Sequence, residues 1–227
     1  MKLFIVRKVL EANAKIADEI RRKMICSDTL LINIMSSPGS GKTALLETLI
    51  PRLQKRGVRV GVIEGDITST RDAERLQPLN IPISQINTEP FGGDCHLGTE
   101  VILPALEPFD LEKTDIIFIE NVGNLVCPAE FDTGAALNVV LISVTEGEDK
   151  PLKYPLMFRV CQHALISKID LLSVLDFDVE FLKTNILKIN PKIKISEISS
   201  KTGKGIDEFI DKLIRFSGKD DIAKSKC

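Results

Sequence analysis

Ser36-Ser37-Pro38-Gly39-Ser40-Gly41-Lys42-Thr43 follows the apolar run Leu30-Leu31-Ile32-Asn33-Ile34-Met35 and precedes the helix-like Ala44-Leu45-Leu46-Glu47-Thr48-Leu49. Strand, glycine loop, Gly-Lys-Thr and helix, in that order, form the context that a phosphate-binding P-loop requires. Small residues let backbone N–H groups turn inward around phosphate oxygens. The helix N-terminus adds partial positive charge to the full charge of Lys42. The Thr43 hydroxyl is a candidate Mg2+ ligand. Gly39, Ser40, Gly41, Lys42, Thr43 and Ala44 are the candidate phosphate-binding positions, and Ser36 stands where the usual pattern has its first glycine. A chance Gly-Ser-Gly-Lys turn is the bland alternative; it does not explain why the flanking strand and helix agree with the motif.

Outward from this loop, short β-rich runs alternate with helical patterns. The expected strands are 30–35, 58–64, 81–86, 116–120, 139–144, 164–167 and 194–198. Their nearly continuous apolar character predicts coverage on both faces. The expected helices are 43–56, 97–106, 177–189 and 206–216, preceded by an amphipathic leading helix over about 5–24 on the spacing of Ile5, Val9, Leu10, Ala12, Ile16, Ile20 and Met24. Such alternation predicts an α/β fold: a P-loop NTPase with a doubly wound, mostly parallel sheet flanked by helices. The expected division is a leading helix over 1–27 packed on the domain, a nucleotide domain over 28–218 and a flexible tail over 219–227.

Bulk properties narrow the function classes. The 227 residues suit one large domain, and 30 basic against 32 acidic residues leave a net charge of −2, with no sign of nucleic-acid binding. No apolar run approaches the roughly 18 residues of a membrane span. The N-terminus becomes charged within a few residues, unlike a signal peptide, so a cytoplasmic location is expected. Five cysteines in a chain of this length do not form a disulfide framework.

Further acids are placed for nucleotide chemistry. Glu64-Gly65-Asp66 ends the second expected strand, where open α/β sheets bind ligands. Asp66 is a candidate for the Mg2+ shell or for orienting the attacking water, and Asp72 a weaker one; a solvated acidic turn is the alternative for both. Asp115-Ile116-Ile117-Phe118-Ile119-Glu120-Asn121-Val122-Gly123 delivers an acid and then a glycine from a buried strand. P-loop enzymes use an acid there to hold Mg2+ or its waters, and Gly123 would let a backbone N–H approach the γ-phosphate. The loop after Glu120 is thus a natural switch. Ser167-Lys168-Ile169-Asp170 is similar to the guanine-recognition motif Asn-Lys-x-Asp, with Ser in place of Asn. Asp170 can accept from the guanine N1–H and 2-amino group, a pair that adenine does not offer. Lys168 would lie along the base and brace the P-loop. Ser199-Ser200-Lys201-Thr202-Gly203 looks like the second guanine-contacting loop, with Ser199 and Lys201 as its candidate contacts.

A second constellation suits a soft metal. Cys95-His96, one of only two histidines, lies in Pro90-Phe91-Gly92-Gly93-Asp94-Cys95-His96-Leu97, a glycine-rich loop opening a helix. Cys127 lies seven residues beyond Glu120 on the expected switch. Thiolates with imidazole suit Ni2+ or Zn2+, and three ligands leave an open, exchangeable site. The alternative is a chance Cys-His pair beside a buried cysteine that acts as a small hydrophobe. Cys26 and Cys161 read as core-like, Cys227 as tail, and His163 as a structural or surface histidine rather than a ligand.

Taken together, Ser36–Thr43, Glu64-Gly65-Asp66, Gly93-Asp94-Cys95-His96-Leu97 and Phe118-Ile119-Glu120-Asn121-Val122-Gly123-Asn124-Leu125-Val126-Cys127-Pro128 resemble the HypB-type hydrogenase nickel-incorporation GTPases. The resemblance spans essentially the whole chain, and Glu120–Pro128 is its most specific part. It implies a doubly wound GTPase domain of the SIMIBI class that dimerises around nucleotide. It implies a Ni2+ or Zn2+ site of Cys95, His96 and Cys127 at the dimer interface. GTP hydrolysis with Mg2+ would gate nickel transfer toward the hydrogenase large-subunit precursor, with a HypA-type metallochaperone as partner. By the same resemblance Lys42 and Thr43 serve phosphate and Mg2+, Asp66 and Glu120 serve Mg2+ and hydrolysis, and Lys168 and Asp170 serve guanine. The chain departs from the family at Ser167 and at Gly98, where members often carry Asp. Residues 1–25 hold neither Cys nor His, so N-terminal nickel storage is not expected. Two other classes remain open: a P-loop kinase, for which no Arg-rich lid appears, and a non-enzymatic metal-binding scaffold with a degenerate P-loop.

Overall fold

Seven strands form one all-parallel sheet: β1 (Leu30–Ser36), β2 (Val60–Asp66), β3 (Ile83–Asn87), β4 (Ile116–Glu120), β5 (Leu137–Ser143), β6 (His163–Ser167) and β7 (Lys194–Glu197). Their spatial order is β3-β2-β4-β1-β5-β6-β7. The computed structural model describes residues 2–67, 70–89 and 95–218, with side chains from residue 11 onward. The expected tail over 219–227 with Cys227, and positions 90–94 of the glycine-rich loop, lie outside the described residues.

The helices are α1 (Lys2–Cys26), α2 (Lys42–Lys55), α3 (Arg71–Leu76), α4 (Thr99–Ala105), α5 (Lys150–Lys153), α6 (Pro155–Val160), α7 (Val179–Ile189) and α8 (Ile206–Phe216). Alternation along each strand sends successive side chains to opposite faces. Ile32, Ile34, Val62, Phe118, Val139 and Leu141 meet Leu45, Leu49 and Leu53 of α2 and Phe209, Ile210 and Leu213 of α8. On the other face Leu31, Ile63, Ile117 and Ile119 pack with Ile20 and Met24 of α1 and Ile102 of α4. Met35, Val140, Ile142 and Ile166 pack with Met157 and Phe158 of α6 and Leu182 and Ile186 of α7. Every residue of β1 and of β4 is buried, the double coverage that their apolar runs predict.

The seven expected strands and five longer helices are present with ends shifted by a few residues, apart from 116–120 and 206–216, whose bounds agree. The short helices α3, α5 and α6 are not legible in the periodicity, because four to six residues span too few turns to show a stripe. The helix expected at 97–106 starts only at Thr99. Cys161 is buried as expected, but Cys26 is exposed: it ends α1 on the face turned away from buried Met24. No helix among the described residues is long and apolar enough to cross a membrane.

Candidate nucleotide and metal site

The phosphate loop leaves the C-terminal end of central β1 and turns into α2. Gly39 and Gly41 have φ of 75° and 99°, left-handed conformations that glycine adopts without steric cost. The Lys42 ammonium donates to Ser36 Oγ at 3.2 Å, so the serine in the first glycine's place anchors the motif lysine. Ala44 sits in the first turn of α2. Ser40 Oγ lies 2.5 Å from Glu146 Oε1, which also accepts from Ser143 N at 3.1 Å. Glu146 therefore ties the loop to the end of β5, a contact that the sequence reading missed.

Two residues at the end of β6 brace the same loop. Ser167 Oγ donates to Ser40 O at 2.9 Å, and the Lys168 ammonium donates to Gly39 O at 2.7 Å. The hydroxyl in place of the usual Asn thus reaches the loop backbone. Asp170 accepts from Ser199 Oγ at 2.5 Å, and Ser199 Oγ accepts from Thr202 N at 3.1 Å, which joins the two candidate base-binding loops. Lys201 is exposed on the second of them.

Beside the phosphate loop lies a buried carboxyl cluster. Thr43 Oγ1 donates to Glu120 Oε1 at 2.8 Å. Glu64 on β2 is in register with Glu120 on β4, so both side chains leave the same face of adjacent strands. With Asp72 of α3, carboxylate oxygens of Glu64 and Glu120 lie within 4.8 Å of one another. Glu64 and Glu120 are each only 2% exposed, and one oxygen of each faces no hydrogen-bond donor. Burial, reinforced by the neighbouring Glu120 charge, pushes the Glu64 carboxyl far above the carboxylate range. Burial also raises Glu120, against the opposing pull of Lys42 and Thr43. Orphaned oxygens from hard carboxylates beside a threonine hydroxyl fit a divalent cation such as Mg2+. Asp66 is two residues further along β2, on the same face but beyond the cluster, where it accepts from Ile67 N at 2.5 Å. Glu64 was not singled out in the sequence, because its approach to Glu120 depends on strand register.

The segment after Glu120 passes close to the phosphate loop. A Cβ on Gly123 would lie 3.0 Å from the backbone Cα and N of Pro38. Further along, the Asn124 carboxamide oxygen accepts from Val126 N at 2.7 Å and Cys127 N at 3.2 Å, which starts the turn at Cys127. Cys95 sits beside the Cys127 thiol, and that neighbour together with burial pushes the Cys127 pKa up to about 11. The structure therefore brings the two predicted thiols together. His96 does not complete a tight cluster with them: its ring stacks on Phe131 at 3.8 Å between centroids and lines a cavity of about 480 Å3 between β3 and α4. His163 is structural as expected, bonded to Ser196 at 2.9 Å.

Comparison with known proteins agrees with this layout. A family model described as CobW/HypB/UreG, nucleotide-binding domain, matches residues 30–197. The hydrogenase maturation factor HypB of Escherichia coli (strain K12) is 45% identical over 203 residues, covering 89% of this chain and 69% of that protein. A crystal structure of HypB from Helicobacter pylori in complex with nickel superposes with a TM-score of 0.85 at 39% identity, covering 91% of this chain and 95% of that one. The hydrogenase maturation factor HypB from Archaeoglobus fulgidus gives a TM-score of 0.84 at 40% identity, over 92% of this chain and 100% of that one. The family model spans most of the chain, and the HypB relatives match it closely in sequence and in fold: the chain belongs to the CobW/HypB/UreG nucleotide-binding family, and within it to the HypB hydrogenase maturation factors.

Proposed function

We propose that this chain is a GTP-hydrolysing nickel metallochaperone, in which nucleotide state sets the geometry of a thiol metal site. One observation carries the reading. A single segment touches both sites: Glu120 accepts from Thr43 of the phosphate loop, and Cys127, on the same segment, meets Cys95. Movement of that segment on loss of the γ-phosphate would displace a metal ligand.

In this reading Gly39–Ala44 cradle the phosphates, with Lys42 freed from Ser36 to meet phosphate oxygen. Thr43, Glu120 and Glu64, with Asp66 at the cluster's mouth, would hold Mg2+, which supplies charge neutralisation on the transferring phosphoryl group. Asp66 or Asp72 orients the attacking water, and Gly123 offers its N–H to the γ-phosphate. Asp170 and Lys168, with Ser199 and Lys201, take guanine. Cys95 and Cys127 carry Ni2+, or Zn2+ in its place, with His96 joining once its ring leaves Phe131. Two thiols leave the coordination incomplete in one chain, which supports a nucleotide-dependent homodimer. The cargo would pass between a HypA-type nickel metallochaperone and the hydrogenase large-subunit precursor, in the cytoplasm.

The test is titration of the protein with Ni2+ and Zn2+ in the presence of a GTP analogue, GDP or no nucleotide. The reading expects metal affinity to differ among the three states and metal binding to be lost in Cys95→Ala. Equal affinities would break the coupling, and undiminished binding by Cys95→Ala would break the site assignment. By linkage, Ni2+ must shift nucleotide affinity by the same factor that nucleotide shifts Ni2+ affinity.

A further inference from the structure

We propose that Asn13, on α1, is a positioning residue for the metal site; the inference rests on the Cys95/His96/Cys127 reading above. The ligands come from two segments that the sheet does not hold together. Cys95 and His96 precede α4, whereas Cys127 follows β4. The Asn13 side chain spans them. Its Oδ1 accepts from Thr99 N at 3.2 Å and from Thr99 Oγ1 at 2.9 Å, three residues beyond His96. Its Nδ2 donates to Asp132 O at 2.8 Å, next to Phe131, on which His96 stacks.

Asn13 is 6% exposed, so both ends of its amide are satisfied by protein in a nearly dry setting. Leaving such groups unpaired is costly. The residue type matters here, because a short side chain must present an acceptor to Thr99 and a donor to a carbonyl. An aspartate would set a second acceptor against the Asp132 carbonyl. An apolar side chain would strand Thr99 N and Asp132 O, while Thr99 Oγ1 keeps the Asn13 backbone carbonyl at 3.3 Å.

The rest of α1 holds the second segment in the same place. Arg21 pairs with the Asp132 carboxylate as well as with Asp18. A Cβ on Gly134 would lie 2.8 Å from Ala17 O and Ile20, so the segment lies directly on the helix. Asn13, Ala17, Ile20 and Arg21 are spaced i, i+4, i+7 and i+8, one face of a helix. That face carries the Cys127 segment, and the Asn13 amide links it to the Cys95 segment. A shift of α1 is therefore felt as a change in ligand spacing.

The test uses the full chain and Ni2+ alone, titrated against the parent, Asn13→Ala, Thr99→Val, Met24→Ala and Cys95→Ala. Residues that orient metal ligands cost about ten- to hundredfold in affinity when removed, so Asn13→Ala should bind Ni2+ at least about tenfold more weakly. In the metal-free protein its nucleotide affinity should stay within about twofold, because the amide bonds Thr99 and Asp132 rather than the phosphate loop. Thr99→Val, which removes one of the three hydrogen bonds, should weaken Ni2+ in the same direction by less, and it keeps the test valid if Asn13→Ala does not fold. Met24→Ala destabilises the same helix without touching the amide, and should lower Tm with Ni2+ affinity unchanged. Parent-like Ni2+ affinity in Asn13→Ala, alongside loss in Cys95→Ala, would overturn the proposal. So would equal weakening in Met24→Ala, since helix stability alone would then explain the effect. Parent-like binding in Cys95→Ala would instead overturn the metal assignment beneath it.

Discussion

Glu64→Gln tests the buried carboxyl cluster most directly. Glu64 is 2% exposed and faces Glu120 across the β2–β4 register, and burial next to that second acid keeps its proton on well above the ordinary value of 4.5. Folding at pH 7 must therefore protonate a carboxyl that is ionised in the unfolded chain. Each unit between 4.5 and 7 costs about 1.4 kcal/mol, about 3 kcal/mol in all. Because the folded state binds the extra proton, stability falls as pH rises above the unfolded value, and the term vanishes below it. Glutamine has the same shape, needs no proton and can donate its N–H to Glu120. The nucleotide- and metal-free variant should be more stable than the parent by up to about 3 kcal/mol at pH 7, or about 6–12 °C in Tm for a chain of this size. The gain should shrink toward zero near pH 4.5. Scanning calorimetry of both proteins in chelator from pH 4.5 to 8 measures it. The same variant should need more Mg2+ for hydrolysis, having lost an anionic donor. Equal Tm values and parallel pH profiles would show that Glu64 is ionised in the empty protein and refute the reasoning.

Gly123→Ala places a methyl 3.0 Å from Pro38 backbone atoms, which have no rotamer to escape into. The expected result is a loss of about 1–2 kcal/mol by thermal unfolding, typical of overpacking, with weaker binding of a GTP analogue in a fluorescence titration. His163 is 5% exposed and its pKa is lowered from 6.5 to about 4 by burial, helped by Lys212 and Lys194. The unfolded state then binds the extra proton, so stability is lost as pH falls through that window, by up to about 3 kcal/mol. His163→Asn should flatten this decline in pH-dependent denaturant melts, and an unchanged slope would show that the imidazole titrates normally in the fold.

Much of the molecule was legible because its signals are local. The phosphate loop needs small residues, a lysine and a helix start within eight positions, and Ser36–Thr43 supplies them contiguously. Buried parallel strands show as unbroken apolar runs, so 116–120 was read to the residue. Cys95, His96 and Cys127 stand out by their chemistry; the structure sets Cys95 beside Cys127 and stacks His96 on Phe131 instead. The helices at 71–76, 150–153 and 155–160 are too short to carry a period, and Cys26 was misplaced because a helix's last turn has no following residue to fix its face.

The sequence alone determined the phosphate loop, the parallel α/β architecture and the residue types of both candidate sites, since these follow from contiguous motifs and periodicity. Only the tertiary structure decided which acids meet, which ring His96 stacks on and what α1 bonds to. Glu64 rather than Asp66 joins Glu120 because strand register pairs those positions, and register belongs to two strands at once. Asn13 reaches Thr99 and Asp132 across 86 and 119 positions of chain. No local pattern encodes such a meeting, because it comes from packing α1 against a sheet built from segments that follow it.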